Sequence, residues 1–254
     1  MIEAPVQERT GLTNAAEVEV RDVVRTFRTR HKQVCALDGV SLRVAREEMV
    51  VIVGPSGCGK TTLLELICGL QRPDQGTVTA APAALMPQRD LLLPWLSALD
   101  NAGLALRVRG SSKAQARAQA APWFDRVGLG GFESARPYEL SGGMRQRVSF
   151  LRSLLAGKPV LALDEPFASL DALTRAEMQG WLAEILLEAP RTVVLVTHDV
   201  EEAVLLGDRV VVLSPRPGRV VADLRIDLPR PRHRTHPELV ELRAQALRAL
   251  GVDA

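Results

Sequence analysis

Three observations on the sequence predict an α/β fold built on a mostly parallel sheet flanked by helices. First, Met49–Val53, Val160–Leu163 and Val193–Thr197 are continuous apolar runs, and Arg209–Leu213 is apolar after its first residue. Such runs lack the polar alternation of one-sided strands and fit strands covered on both faces. Second, the runs alternate with helical stretches at Lys60–Gly69, Asp171–Leu187 and Val200–Leu206, the order of a parallel sheet with helices on both faces. Third, Val18–Phe27 and Val40–Val44 are alternating or β-branched and read as an antiparallel β layer ahead of the core.

The remaining elements follow in order. Residues 1–15 read as a polar, disordered lead. Glycine stops the helix at Gly69, and Thr77–Thr79 and Ala84–Met86 are short strands. Residues 97–155 carry no apolar strand run and are punctuated at Gly110, Pro122, Gly128–Gly131 and Pro137. They read as a helical subdomain inserted in the core, and its last helix, Gly143–Leu155, leads into Val160–Leu163. Asp171 is placed to cap the helix that follows it. Val220–Ile226 reads as a peripheral strand and Pro237–Leu250 as an amphipathic helix. The resulting division is 1–15, 16–230 with the helical subdomain at about 97–155, and 231–254.

Composition narrows the function classes. The 254 residues hold 32 Lys and Arg against 30 Asp and Glu, a net charge of +2, which gives no argument for a polyanion partner. Aromatic residues make up 4%, too few for stacking platforms that hold single-stranded nucleic acid. The basic cluster Arg230, Arg232 and Arg234 reads as a solvated or lipid-facing edge rather than a nucleic-acid site. Cys35, Cys58 and Cys68 have no CxxC spacing and fit a reducing compartment. The first residues lack the apolar region of a signal peptide. No apolar run reaches the ~18 residues of a membrane span, so work at a membrane requires docking on another chain.

Gly54-Pro55-Ser56-Gly57-Cys58-Gly59-Lys60-Thr61 fits G-x-x-x-x-G-K-[ST] between a buried strand and a helix. This is the phosphate-binding loop of a P-loop NTPase core. Its backbone N–H groups turn toward phosphates, and the helix beginning with Lys60, Thr61 and Thr62 adds the positive end of its dipole. Lys60 reaches the β- and γ-phosphates of ATP, and the Thr61 hydroxyl ligates Mg²⁺. The run Val160–Leu163 ends in Asp164 and Glu165. A strand-end acid suits Mg²⁺, and the acid after it is placed to polarise water for in-line attack. His198 follows Val193–Thr197, at the strand end where ligands of open α/β sheets collect, and reads as a γ-phosphate contact. Gln88, on pattern alone, is a polar loop residue. Leu140-Ser141-Gly142-Gly143, in LSGGMRQR, sets a hydroxyl and two glycines at the start of a helix, a second anion-binding element. One γ-phosphate needs one cradle. Two cradles in one chain suggest two copies meeting head to tail around shared ATP.

These motifs, from about Val18 to Val221, resemble in order and spacing the ATP-binding subunits of ABC transporters. The resemblance implies that Phe27 stacks on adenine and that Gln88 is the Q-loop glutamine, sensing Mg²⁺ and water and linking to the membrane partner. It implies that Ser141 and Gly143 touch the γ-phosphate held by the other subunit. Asp171 takes the place of the D-loop aspartate, which communicates across the dimer, and His198 that of the switch histidine. Leu92-Leu93-Pro94-Trp95, Glu165–Arg175, Thr197–Ala203 and Ser214–Gly218 further resemble importer ATPases of the nitrate, sulfonate and taurine group. Pro87–Trp95 leans toward the branch that imports thiamine-precursor pyrimidines. The segment Gly76–Pro87 is shorter than is usual in the family. The chain also ends soon after its last strand, which disfavours the subgroups that carry a regulatory ligand domain.

The expected function is therefore ATP hydrolysis powering uptake of a small solute through a separate permease. The expected location is peripheral, on the cytoplasmic face of the plasma membrane. The partners are a second copy, the permease and, indirectly, a solute-binding protein, with no nucleic acid. Trp95 and the leucines beside it are either a docking surface or core packing. The competing class is a soluble ABC ATPase of translation or DNA maintenance. Translation types usually carry two cassettes per chain and DNA-repair types long coiled coils, and this chain has neither. A non-hydrolysing nucleotide switch conflicts with the presence of both Glu165 and His198.

Overall fold

The computed structural model describes residues 16–28, 32–168 and 170–252; the polar lead 1–15 and Ser169 lie outside the described residues. Two strands open the chain, β1 (Ala16–Arg28) and β2 (Gln33–Ala45), both longer than their apolar cores imply. They pair antiparallel, with register shifts near Val20–Val23 and Val23–Thr26. With β4 (Gln75–Ala80) they form a three-stranded sheet in the order β2-β1-β4. The other sheet has six strands: β3 (Met49–Val53), β5 (Ala83–Met86), β6 (Val160–Asp164), β7 (Thr192–Thr197), β8 (Arg209–Leu213) and β9 (Val220–Arg225). Their order is β5-β6-β7-β3-β8-β9. All neighbours are parallel except β9, which closes the edge antiparallel to β8.

Each central strand divides its side chains between two cores, as the period of two requires. Val50, Ile52, Val160, Ala162, Val194, Val196 and Val211 face the antiparallel sheet and α1 (Lys60–Ile67). Met49, Val51, Val53, Leu161, Leu163, Val193, Leu195 and Val210 face the other way, toward the helices of the second core.

That second helical layer runs from α2 (Ala98–Ala102), α3 (Leu104–Val108), α4 (Lys113–Ala120) and α5 (Pro122–Arg126) to α6 (Gly142–Leu154). Arg117 grips Asp100 with two hydrogen bonds of 2.7 and 2.8 Å, fixing α4 on α2. The long helix α7 (Ala172–Glu188) brings Trp181 edge-on to Phe150 of α6 at 5.2 Å and to Trp123 of α5 at 6.3 Å. The helical block is thus continuous with the main core. So is the C-terminal helix α9 (Pro237–Ala249), whose Leu239, Leu242 and Ala246 are buried in the same core as α8 (Val200–Leu206).

The arginine cluster departs from the sequence expectation of a solvated or lipid-facing edge. The Arg232 side chain is only 2% exposed. It donates to the carbonyls of Val204, Leu205 and Gly207 at the end of α8, at 3.2, 3.3 and 2.5 Å, and to Leu228 O at 3.0 Å. A helix C-terminus leaves its last carbonyls without intrahelical partners, and a guanidinium has five donors to satisfy them. Arg230 pairs with Asp208, and Arg234 with Glu201 at 3.1 Å. No helix among the described residues is long and apolar enough to cross a membrane.

Candidate functional site

The parallel sheet gathers the phosphate loop, Gln88, the acid pair and His198 on one edge. The register pairs Met86 with Leu163, Asp164 with Val196, and Val53 with both Thr197 and Val212. The loops that leave these strands are therefore adjacent: Gln88 after β5, Glu165 after β6, His198 after β7 and Gly54 after β3. Ligands of open α/β sheets collect at this carboxyl edge.

Phe27, Ser56, Gly57, Gly59, Lys60, Thr61, Thr62, Gln88, Glu165 and Arg216 line one cavity of about 470 Å³ at that edge. Gly59 has φ +109°, and a Cβ there would lie 2.7 Å from Ala36 O, so the turn into α1 admits only glycine. Lys60 is buried, and its ammonium is held on the loop's own carbonyls, Gly54 O at 2.7 Å and Pro55 O at 3.2 Å. Cys58 is buried beside it, and burial raises its thiol pKa. The half-buried Phe27 forms another wall, with the Arg25 guanidinium 4.9 Å over its ring.

Deeper in the site, the Thr61 hydroxyl donates to Asp164 Oδ2 at 2.9 Å. Burial raises the Asp164 pKa, and the charge of Glu165 adds to this, against the Thr61 bond and Lys60. A buried carboxyl touching a hydroxyl is an oxygen donor set for a hard cation. Among the described residues no group of three or more His, Cys, Asp or Glu converges as a self-sufficient metal centre. Mg²⁺ fits such a site, because it takes one or two protein oxygens and completes its shell with water and substrate phosphate.

Glu165 is held from two sides. His198 Nδ1 lies 3.2 Å and Gln88 Nε2 3.3 Å from the same oxygen, Oε2. Its backbone N–H donates to Val196 O, and its φ is +46°. A carboxylate that accepts from Gln88 and has His198 Nδ1 3.2 Å away, at the rim of a phosphate cavity, has the orientation a water-directing base needs.

Ser141, Gly142, Gly143 and Asp171 do not line this cavity. Ser141 caps α6 by accepting from Met144 N at 3.2 Å, which leaves its own hydroxyl proton to donate. Asp171 caps α7 by accepting from Thr174 N at 3.0 Å, and that bond holds its carboxyl below the usual range. In one chain the second cradle and the phosphate loop are thus separate.

Two groups near the site were missed in the sequence. Arg145 and Arg152 of α6 hold the loop after Gln88: Arg145 Nε donates to Asp90 at 3.1 Å, and Arg152 donates to Asp90 O at 2.7 Å and Leu91 O at 2.8 Å. The helix that starts at Ser141 is therefore tied to the loop that carries Gln88. Farther along that loop, Trp95 is 67% exposed and stands beside core positions rather than in them.

The second group is Glu202, buried in α8 with Oε1 unpartnered. Burial pushes its carboxyl up to about 8, and the charge of Asp199 adds to this. Arg175 and the Thr197 hydroxyl oppose the shift, and Glu165 reinforces it. A folded-state pKa above the unfolded one means the native state holds a proton the unfolded state has lost. Stability contributed by this group is full at pH values below about 4.5 and declines as pH rises toward about 8, by up to about 1.4 kcal/mol per pH unit. Glu202→Gln is expected to flatten that decline in urea melts between pH 5 and pH 8. Parallel profiles for the two proteins would contradict it.

A glycine-rich loop between a parallel strand and a helix, a buried strand-end acid and a second acid beside it define a P-loop nucleoside triphosphatase. The sequence profile described as ABC transporter matches residues 37–168. The taurine import ATP-binding protein TauB of Chromobacterium violaceum is 43% identical over 229 residues, 84% of this chain and 88% of that one. The formylaminopyrimidine import ATP-binding protein ThiZ of Halalkalibacterium halodurans is 48% identical over 184 residues, 71% of this chain and 74% of that one. Among solved structures, a dimeric ATP-binding cassette in a post-hydrolysis state, bound to ADP and Pi, superposes with a TM-score of 0.76 at 29% identity. The match covers 85% of this chain and 99% of that one. The chain belongs to the ABC transporter family and is an ATP-binding, ATP-hydrolysing subunit.

Proposed function

We propose that this chain powers the import of a small solute through a separate permease, working as a head-to-tail dimer around two ATP–Mg²⁺. The grip of Gln88 and His198 on one oxygen of Glu165, at the rim of the phosphate cavity, carries the hydrolytic half of the reading. Lys60 leaves the Gly54 and Pro55 carbonyls to bind the β- and γ-phosphates, and Phe27 stacks on adenine. Thr61, Asp164 and Gln88 would hold Mg²⁺, which would supply neutralisation of phosphate charge. Ser141, Gly142 and Gly143 of the second copy close over the γ-phosphate, with Asp171 at the junction. Closure excludes water other than the one Glu165 orients for in-line attack. His198, with its Nδ1 3.2 Å from Glu165 in the free site, turns to hold the γ-phosphate.

The transport half rests on the loop after Gln88. Asn101 clamps Leu93 through both its backbone N–H and its carbonyl, at 2.8 and 3.1 Å. This leaves Leu91 and Trp95 exposed on the same loop, with Tyr138 exposed just ahead of the second cradle. Exposed apolar side chains on a rigidly held loop suit a docking surface. Through Arg145 and Arg152, movement of α6 on dimer closure passes to that surface. The relatives named for taurine and formylaminopyrimidine import support a cargo of the nitrate, sulfonate and taurine type or a thiamine-precursor pyrimidine. A solute-binding protein would deliver it, with this chain peripheral on the cytoplasmic face of the plasma membrane.

Affinity purification from detergent-solubilised membranes tests the transport half. A multi-span membrane protein is expected to co-purify and to be lost with Trp95→Glu. Recovery with ribosomal or DNA-maintenance proteins instead would favour the soluble ABC ATPase.

A further inference from the structure

The loop after β8, Ser214-Pro215-Arg216-Pro217-Gly218, also leaves the carboxyl edge of the sheet, next to β3. It is locked in place. Gly218 N donates to Ala36 O at 2.9 Å and accepts at its carbonyl from Asp38 N at 3.0 Å. Ser214 Oγ accepts from Arg219 N at 3.1 Å and donates to Pro217 O at 2.9 Å. A Cβ on Gly218 would fall 2.2 Å from Cys58 O, so the loop lies directly against the phosphate loop. Arg219 is committed to Asp38.

Arg216 is different. It lines the phosphate cavity with Lys60 and Thr61. Its Nε donates to Gly57 O at 3.0 Å, and among the described residues it forms no ion pair with a carboxylate. The arrangement parallels Lys60: both cations rest on main-chain carbonyls of the same loop, Lys60 on Gly54 and Pro55, Arg216 on Gly57. A carbonyl is a weak partner for a full positive charge, whereas a phosphate oxygen is a strong one. The fork of a guanidinium leaves two terminal nitrogens to donate after Nε is used.

The geometry points to Arg216 as a second nucleotide-binding cation, which contacts the polyphosphate of the ATP bound by its own subunit. The inference rests on the assignment of this cavity to ATP. The rigid loop means the contact is prepared in advance, so little ordering cost is set against it. Arg216 is not placed to move a proton. Its contribution falls on affinity, shared by ATP and ADP, and not on the chemical step.

The test is nucleotide binding and hydrolysis by the purified full-length chain carrying Arg216→Gln, with Arg216→Lys beside it. Glutamine keeps an N–H donor for Gly57 O and removes the charge. The expected result is a rise of roughly 10-fold in Kd for ATP and ADP at low salt, a matching rise in KM, and kcat unchanged. The difference should shrink as salt is raised. Inorganic tripolyphosphate should likewise compete less well with a fluorescent ATP analogue on the Gln variant. Lysine, which restores a point charge without the fork, should recover part of the affinity. Wild-type Kd values in both variants would overturn the inference. So would an affinity loss that salt leaves unchanged or that Lys does not recover, because that pattern marks a clip on the loop. If Gln lowers expression, the Lys variant and its salt dependence decide the matter by the same criteria. A wild-type chain that binds no ATP would instead reject the assignment of the cavity itself, a distinguishable outcome.

Discussion

Glu165→Gln is expected to lower steady-state ATP hydrolysis by roughly 10²–10⁴-fold while ATP still binds. The glutamine keeps the size of the side chain and can still meet Gln88 and His198, which lie 3.3 and 3.2 Å from the carboxylate. What it loses is the negative oxygen that orients water. The surrounding hydrogen bonds do not supply that charge, so the loss falls on turnover and not on binding. Phosphate release under saturating ATP measures it. A variant that hydrolyses at the wild-type rate would remove Glu165 from the base position.

Ser141→Arg is expected to leave ATP binding to one chain intact and to reduce hydrolysis by roughly 10²-fold or more, since the second half of each site no longer closes in register. Ser141 is exposed at the start of α6, and it is absent from the wall of the cavity that holds Lys60. A bulky cation there has no route to that cavity within one chain and acts only through a partner. The cost to the fold is limited to the cap on Met144 N, worth about 1 kcal/mol. Equilibrium binding of a fluorescent ATP analogue, set beside the hydrolysis rate, separates the two effects. Binding and hydrolysis lost together would place Ser141 in the cavity of its own chain.

Much of this was legible in the sequence because the signals were local. Met49–Val53 and Val160–Asp164 are buried on both faces, so their runs are uninterrupted and their ends mark the phosphate loop and the acid pair. The helix cap at Asp171 and the helix start beside Ser141 could be read for the same reason. Other features depended on contacts distant in sequence. In β1, Glu19 and Arg21 alternate with buried Val18 and Val20, and the register shifts break the period, so the strand extends past its apolar centre. Arg232 looked like part of an exposed cluster, yet it reaches carbonyls more than twenty residues earlier at the end of α8. Glu202 sits in an acidic pair whose other member, Glu201, faces outward to Arg234. The turn of α8, and not residue type, decides which carboxyl is buried. Arg216 stands in the Ser214–Gly218 segment that resembles the importer ATPases, but its place at the phosphate loop is not local: the pairing of β8 with β3 brings its loop to Gly57.

With the second cradle outside the phosphate cavity of its own chain, the active site is expected to be complete only when two copies meet around ATP. Light scattering of Glu165→Gln, with and without ATP, tests it most directly. With hydrolysis blocked, ATP should double the 27.6 kDa mass of the chain, and adding Ser141→Arg to the same protein should abolish the doubling. A mass that stays at one chain in saturating ATP, or one that doubles despite Ser141→Arg, would contradict the shared site.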